Sequence, residues 1–113
     1  MTGSSDSPVT ELAAADVAAG AYILDVREDA EWQAGHIDHS VHIPLGELMS
    51  RVDEVPAGQQ VVVACRSGAR SERAAAYLCQ LGRDAVNLDG GLIAWTRAGR
   101  ALVAADGSPG RVG

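Results

Sequence analysis

The sequence VVVACRSGARS, at residues 61–71, joins a wholly apolar run to a short polar loop and then to a helical pattern. An apolar run without polar alternation is typical of a strand that is buried on both faces of a parallel sheet. Gly68 permits a sharp turn in the loop, because glycine tolerates a positive φ. The residues that follow predict a helix over residues 69–81. The stretch therefore predicts a strand, a loop and a helix, with Cys65 at the turn.

The rest of the chain repeats this alternation of strands and helices. Strands are predicted at residues 21–26, 41–43, 61–64 and 85–88, with a last edge strand at 101–103. Helices are predicted at residues 10–19, 28–34, 45–52, 69–81 and 92–98. Such alternation is typical of a parallel sheet with helices on both faces. We therefore expect an α/β fold, a three-layer sandwich around a central, mostly parallel sheet of about five strands.

The chain has 113 residues, which is the size of one domain with one core. Residues 1–8 are polar and are expected to be a flexible lead. The domain itself is expected to span residues 9–104. Residues 105–113 are rich in Gly, Pro and Ser, and this composition predicts a disordered C-terminal tail.

Composition and charge exclude several classes of function. The net charge is −6, and all nine basic residues are arginine. An acidic chain is a poor candidate for binding nucleic acid, which requires neutralisation of phosphates. No apolar run approaches the roughly 20 residues that span a bilayer, and the first residues lack the features of a signal peptide. We expect a soluble, cytoplasmic protein without a nucleic-acid or membrane partner.

Cys65 lies where a loop opens a helix, and this position favours a reactive thiol. The N–H groups of the loop can surround the sulfur, and Arg66 and Arg70 add positive charge. These effects are expected to lower the pKa of the thiol and to attract a small anionic substrate. A base beside the sulfur is not required. The alternative is a structural cysteine at the end of a buried strand.

Other candidate ligands are weaker. Cys79 lies within the predicted helix at 69–81, where a cysteine is most often a small buried apolar residue. His36, His39 and His42 are spaced by three, which would place them on one face of a helix. The predicted loop and strand there keep them apart, so we expect no metal and no other cofactor.

Several segments together resemble those of single-domain rhodaneses, a family of sulfurtransferase domains, over roughly residues 9–103. The resemblance is carried by Asp25-Val26-Arg27, Glu31-Trp32, Gly35-His36-Ile37, Ile43-Pro44, the Cys65–Ser71 loop, and Asp89-Gly90-Gly91 with Trp95. Asp38-His39-Ser40 departs from the Pro-Gly-Ala common in the family. This departure lies outside the predicted active-site loop.

The resemblance implies that Cys65 takes sulfane sulfur from an anionic donor such as thiosulfate and passes it on from a persulfide. The acceptor would be cyanide or a thiol, which a protein can carry. The implied active-site loop comprises Arg66, Ser67, Gly68, Ala69, Arg70 and Ser71. Related phosphatases and arsenate reductases have five residues between the cysteine and the arginine, whereas four separate Cys65 from Arg70, which favours sulfur transfer. The alternative function is a sulfur carrier or sensor that works with a protein partner.

Asp25 and Arg27 are expected to lie near the loop, at the end of a neighbouring strand. They are candidates for orienting the loop, and Arg27 is also a candidate for contacting substrate. The alternative, which we favour, is a structural ion pair of Arg27, for example with Glu31 or Glu72.

Overall fold

The computed structural model describes residues 9–113, so the predicted flexible lead at residues 1–8 lies outside the described residues. The strands are β1 (Glu11–Leu12), β2 (Tyr22–Asp25), β3 (Val41–His42), β4 (Gln60–Ala64) and β5 (Asp84–Leu88). The α-helices are α1 (Asp29–Ala34), α2 (Leu48–Arg51), α3 (Ala69–Gln80) and α4 (Gly91–Arg97). Short 3₁₀ helices lie at Ala14–Asp16, Leu45–Glu47 and Val52–Glu54. No helix within residues 9–113 is long and apolar enough to cross a membrane.

The predicted α/β architecture is confirmed. The five strands form one sheet in the order β1-β5-β4-β2-β3, and all four strand pairs are parallel. The crossovers between parallel strands place helices over both faces of the sheet.

The central strand, β4, supplies side chains to two apolar cores. Val61, Val63 and Cys65 pack with residues of α2 and α3 on one face. Val62 and Ala64 pack with residues of α4 on the other face. Because the three valines are almost fully buried, each contributes about 1.5–3 kcal/mol to folding. This burial on both faces is what the apolar run in the sequence predicts.

The helix predicted at residues 10–19 is wrong. Glu11 and Leu12 instead pair in parallel with Asn87 and Leu88, and only a 3₁₀ turn follows at Ala14–Asp16. Without β1, the outer edge of β5 would leave its backbone N–H and C=O groups unpaired. Pairing with the backbone of β5 therefore outweighs the local helical pattern at Glu11 and Leu12.

Residues 101–113 also differ from expectation. Val103 forms isolated antiparallel bridges to His36 and Pro109, so residues 101–103 add no strand to the sheet. The tail, expected to be disordered, folds back over the end of α1. The Arg111 amide donates to the Ala34 carbonyl at 3.0 Å. Gly35 permits this contact, because a Cβ there would meet the backbone of Arg111.

The strand order changes direction at the carboxyl ends of β2 and β4. These two strands are neighbours, yet the chain leaves them in opposite directions, from β2 to β3 and from β4 to β5. Such a switch point is where open α/β sheets bind ligands. Asp25 ends β2 and Cys65 follows β4, so both lie at this edge.

The tail contact at Gly35 generates a prediction for Gly35→Ala. The added methyl group collides with the backbone of Arg111, so the tail should detach while the sheet stays folded. We expect roughly tenfold faster hydrogen exchange of the Arg111 amide, corresponding to about 1.4 kcal/mol. The control is Gly20→Ala, because a Cβ at Gly20 meets nothing within 4 Å. Unchanged exchange at Arg111 in the Gly35 variant would contradict the prediction.

Candidate active site

The Cys65 sulfur lies at the bottom of the loop between β4 and α3, and the residue is only 1% exposed. The Gly68 amide donates a hydrogen bond to Sγ at 3.1 Å. The Ser71 hydroxyl lies 3.2 Å from Sγ and can donate to it as well. Gly68 has φ 109°, a left-handed conformation that favours glycine. The turn predicted at Gly68 therefore aims backbone N–H groups at the sulfur.

The first turn of α4 holds the opposite side of the loop. The Leu92 amide donates to the Cys65 carbonyl at 2.9 Å, and the Ile93 amide donates to the Arg66 carbonyl at 3.1 Å. Gly91 makes this approach possible, because a Cβ there would lie 2.5 Å from the Arg66 oxygen. Gly91 also has φ 64°. Because α4 binds the Arg66 carbonyl, the other side of the same peptide, the Ser67 N–H, is turned toward the sulfur.

The pKa of Cys65 is lowered from its ordinary value by hydrogen bonds that outweigh burial. Burial raises the pKa, since it disfavours a charged sulfur. The Ser71 hydroxyl and the backbone amides of Ser71, Gly68 and Ser67 lower it. The thiolate is thus stabilised by dipoles of the loop and of the first turn of α3. The sequence predicted that Arg66 and Arg70 would share this role.

Both arginines of the loop have other partners. Arg70 donates to both carboxylate oxygens of Glu31, at 2.7 and 2.9 Å. This pairing lowers the pKa of Glu31 to about 2, so the ion pair persists at neutral pH. Arg66 is exposed, and within residues 9–113 its side chain donates one hydrogen bond, at 3.3 Å to the Gly113 carbonyl. Arg70 is therefore largely neutralised, and Arg66 is the more available cation.

Arg27 forms a buried ion pair, but with Asp25 rather than with the carboxylate of Glu31 or Glu72 that the sequence analysis named. Its guanidinium is 0% exposed and binds both carboxylate oxygens of Asp25, with the shortest contact at 2.8 Å. It also donates to the backbone carbonyls of Glu31 and Gly35, at 3.3 and 2.6 Å. In this position the Arg27 side chain has no surface open to solvent. It instead ties β2 to α1, which carries the partner of Arg70.

Two residues at this site were missed by the sequence analysis. Asn87, on β5, accepts a hydrogen bond from the Ser71 hydroxyl at 2.5 Å. Glu11, on β1, accepts hydrogen bonds from the Asn87 amide at 3.1 and 3.2 Å. A signal for Asn87 existed, because it is a polar residue within an apolar strand that ends at the same edge as Cys65. Glu11 carried no such signal, since it was assigned to a helix.

The three histidines do not converge. Trp32 stacks between His36 and His42, with ring centroids 3.6 and 4.7 Å away, and His39 is exposed. Within the described part of the chain, no three His, Cys, Asp or Glu side chains are placed to hold a metal ion. Cys79 is exposed rather than buried as predicted, and it donates to the Ala85 carbonyl. It is open to solvent because it lies in the last turn of α3, beside the beginning of β5.

Comparison with known proteins assigns the chain and its fold to a family. Residues 9–98 match the family model of the rhodanese-like domain. The chain belongs to the rhodanese-like family. It is 44% identical over 86 residues to a sulfurtransferase of Allochromatium vinosum, covering 75% of this chain and 80% of the relative. It is 34% identical over 91 residues to the thiosulfate sulfurtransferase GlpE of Shewanella oneidensis, covering 80% and 90% respectively.

A solved structure supports the same assignment. The rhodanese-related protein of Thermoplasma volcanium superposes with a TM-score of 0.80 at 33% sequence identity, covering 83% of this chain and 97% of that one. Together with the two relatives, this similarity supports sulfur transfer as the general function of this rhodanese-like domain.

The buried ion pair of this rhodanese-like domain generates a prediction for Asp25→Ala. The substitution leaves the Arg27 guanidinium buried without its carboxylate, which costs about 3–5 kcal/mol. Urea denaturation should show this loss as a lower midpoint with an unchanged slope. The control is Arg51→Ala, which removes exposed ion pairs to Glu47 and Glu54 and should change little. Equal effects of the two variants would contradict the structural role of Asp25.

Proposed function

We propose that the chain is a sulfurtransferase that moves sulfane sulfur from an anionic donor of the thiosulfate type, through a persulfide on Cys65, to cyanide or a thiol. The observation that carries this proposal is the environment of the sulfur. The Cys65 Sγ accepts a hydrogen bond from the Gly68 amide and faces the Ser71 hydroxyl, and the pKa of the Cys65 thiol is lowered. Such a loop stabilises an anionic sulfur, whether it is a thiolate or a persulfide.

The reaction has two balanced steps. In the first step, the Cys65 thiolate attacks the outer sulfur of thiosulfate, the S–S bond of the donor breaks, and sulfite leaves with the electron pair. A new S–S bond makes the Cys65 persulfide anion. In the second step, cyanide attacks the outer sulfur of the persulfide, thiocyanate forms, and the Cys65 thiolate is regenerated. No external oxidant, reductant or general base enters the cycle.

The burial of Cys65 favours a donor with a small reactive end. Only 1% of the residue is exposed, so a reacting atom must enter the loop from its open side. A terminal sulfur atom meets this requirement better than a bulky group does. The N–H groups that bind the thiolate also suit the anionic charge of thiosulfate and of the persulfide.

The persulfide itself can be tested by intact mass and thiocyanate formation. After incubation with thiosulfate, the wild-type protein should gain the mass of one sulfur atom, and later addition of cyanide should remove it as thiocyanate. Cys65→Ser should show neither change, because it lacks the nucleophile. The control, Cys79→Ser, removes the exposed second thiol and should behave as wild type. Retained thiocyanate formation in Cys65→Ser would overturn the assignment of Cys65.

Donor selection generates a prediction for Arg66→Ala. Because Arg70 is paired with Glu31, Arg66 is the cation best placed to attract a dianionic donor. Its loss should lower kcat/KM for thiosulfate about tenfold, mainly through KM, which corresponds to about 1.4 kcal/mol. The difference from wild type should shrink at high salt, since exposed charges are screened. Arg97→Ala is the control, because Arg97 is exposed on α4; an equal loss there would contradict a specific role for Arg66.

A second candidate function is a sulfur carrier that receives sulfur from a protein partner and turns over little alone. The near-complete burial of Cys65 favours it, because a partner could open access to the sulfur. This candidate predicts persulfide formation from a protein donor but not from thiosulfate. Rapid turnover with thiosulfate and cyanide would exclude it.

A further inference from the structure

A line of side chains connects the Cys65 sulfur to the edge of the sheet. The Ser71 hydroxyl lies 3.2 Å from Sγ and 2.5 Å from Oδ1 of Asn87. The Asn87 amide nitrogen in turn lies 3.1 and 3.2 Å from the carboxylate oxygens of Glu11. Ser71 and Asn87 are both buried, at 0% and 3% exposure. The two-step mechanism above makes no use of Asn87 or Glu11.

The Ser71 hydroxyl has one hydrogen and three acceptors within reach. These acceptors are Sγ of Cys65, the Gly68 carbonyl at 3.3 Å and Oδ1 of Asn87. The contact with Oδ1 of Asn87, at 2.5 Å, is much shorter than the contact with the other oxygen, the Gly68 carbonyl, at 3.3 Å, while 3.2 Å to the larger sulfur atom is an ordinary hydrogen-bond distance. Two oxygen atoms at 2.5 Å repel each other unless a hydrogen lies between them. The hydroxyl hydrogen therefore points to Asn87 rather than to the sulfur.

The orientation of the Asn87 side chain follows from its other neighbours. Its amide nitrogen faces the Glu11 carboxylate and the Gly68 carbonyl, which lies 3.1 Å away. An ionised carboxylate and a carbonyl are acceptors only, so each requires the NH₂ group of Asn87. Reversing the amide would place Oδ1 against both acceptors. Glu11 and Gly68 thus keep Oδ1 of Asn87 directed at the Ser71 hydroxyl.

We propose that Asn87, oriented by Glu11, is a positioning residue that competes with the Cys65 sulfur for the hydroxyl hydrogen of Ser71. While Cys65 is a neutral thiol, the Ser71 hydroxyl donates its hydrogen bond to Oδ1 of Asn87. When the sulfur becomes an anion, the hydroxyl must turn from Asn87 to stabilise it. Asn87 thereby restrains the formation of the thiolate. The inference rests on the proposed function only in giving the thiolate a role in sulfur transfer.

Other charged groups also act on the sulfur and must be kept constant. Arg70 is within Coulombic range of Cys65, although Glu31 on α1 neutralises much of its charge. Arg66 belongs to the same loop. The pair of Asp25 and Arg27 lies at the end of β2, with its charges satisfied by each other. Among the described residues, none of these charged side chains hydrogen-bonds to Ser71, Asn87 or Glu11, so substitutions at those three positions leave their ion pairs in place.

A thermodynamic cycle on Asn87 and Ser71 tests the competition, in a Cys79→Ser background that leaves one thiol. The rate of alkylation of Cys65 by iodoacetamide, followed against pH, reports its pKa. Asn87→Leu should lower the pKa of Cys65. At pH values below that pKa, the thiolate fraction should rise about fivefold, which is the factor for one ordinary hydrogen bond. Ser71→Ala should raise the pKa, because it removes a donor. In Ser71→Ala, the further change Asn87→Leu should have no effect.

Glu11→Gln is a second variant, and it tests the same competition for the Ser71 hydrogen if Asn87→Leu does not fold. Glutamine keeps an acceptor for the Asn87 amide but removes the negative charge that polarises it, so the pKa of Cys65 should fall. Any purely Coulombic part of this shift persists in Ser71→Ala, whereas the part carried through Asn87 disappears. A smaller shift in Ser71→Ala than in the parent supports the proposal. Equal shifts in the two backgrounds overturn it.

Asn87→Leu can also shift the pKa of Cys65 in the opposite direction, and that result distinguishes the two roles of Asn87. If Asn87 only anchors the loop through the Gly68 carbonyl, its loss loosens the loop and raises the pKa of Cys65, which overturns the proposal. The alkylation assay requires no sulfur donor. If no persulfide forms with thiosulfate or a protein donor while the pKa shifts as expected, the proposed function fails and the positioning role stands.

Discussion

The site depends on two hydrogen bonds from the first turn of α4 to the carbonyls of Cys65 and Arg66. A peptide has its C=O and N–H groups on opposite sides, so the Arg66 carbonyl bound by α4 leaves the Ser67 amide facing the sulfur. Gly91 permits the close approach of α4, and Gly68 lets the loop turn into α3. Two distant glycines and the end of β4 thereby produce one pocket of N–H groups.

Electrostatic control of the sulfur comes from dipoles more than from full charges. Arg70 is paired with Glu31, and Glu31 belongs to α1, whose carbonyls are held by the buried Arg27. The loop is thus braced by a connected series of ion pairs and hydrogen bonds that begins at Asp25. This arrangement leaves Arg66 as the exposed arginine of the loop, and it places the Ser71 hydroxyl 3.2 Å from the sulfur.

Much of the fold could be predicted because the pattern is local. The burial of β4 on both faces, the helix α3 and the turn at Gly68 all follow from neighbouring residues. The pairing of Arg70 with Glu31 could not, because 39 residues separate them. The strand at Glu11 was missed for a related reason, since its partner is the edge of β5 rather than anything nearby in sequence. The tail was missed because its backbone hydrogen bonds to α1 have no side-chain signature.

The sequence by itself determined that an apolar strand ends at a thiol, that Gly68 turns the chain, and that a helix follows. These features are local, since they depend on side-chain polarity and on the conformational freedom of glycine. Only the tertiary structure decided which way the loop peptides face, which partner each arginine has and which acceptors surround the Ser71 hydroxyl. Those choices depend on α4, α1 and Asn87, which reach the loop only when the sheet has assembled.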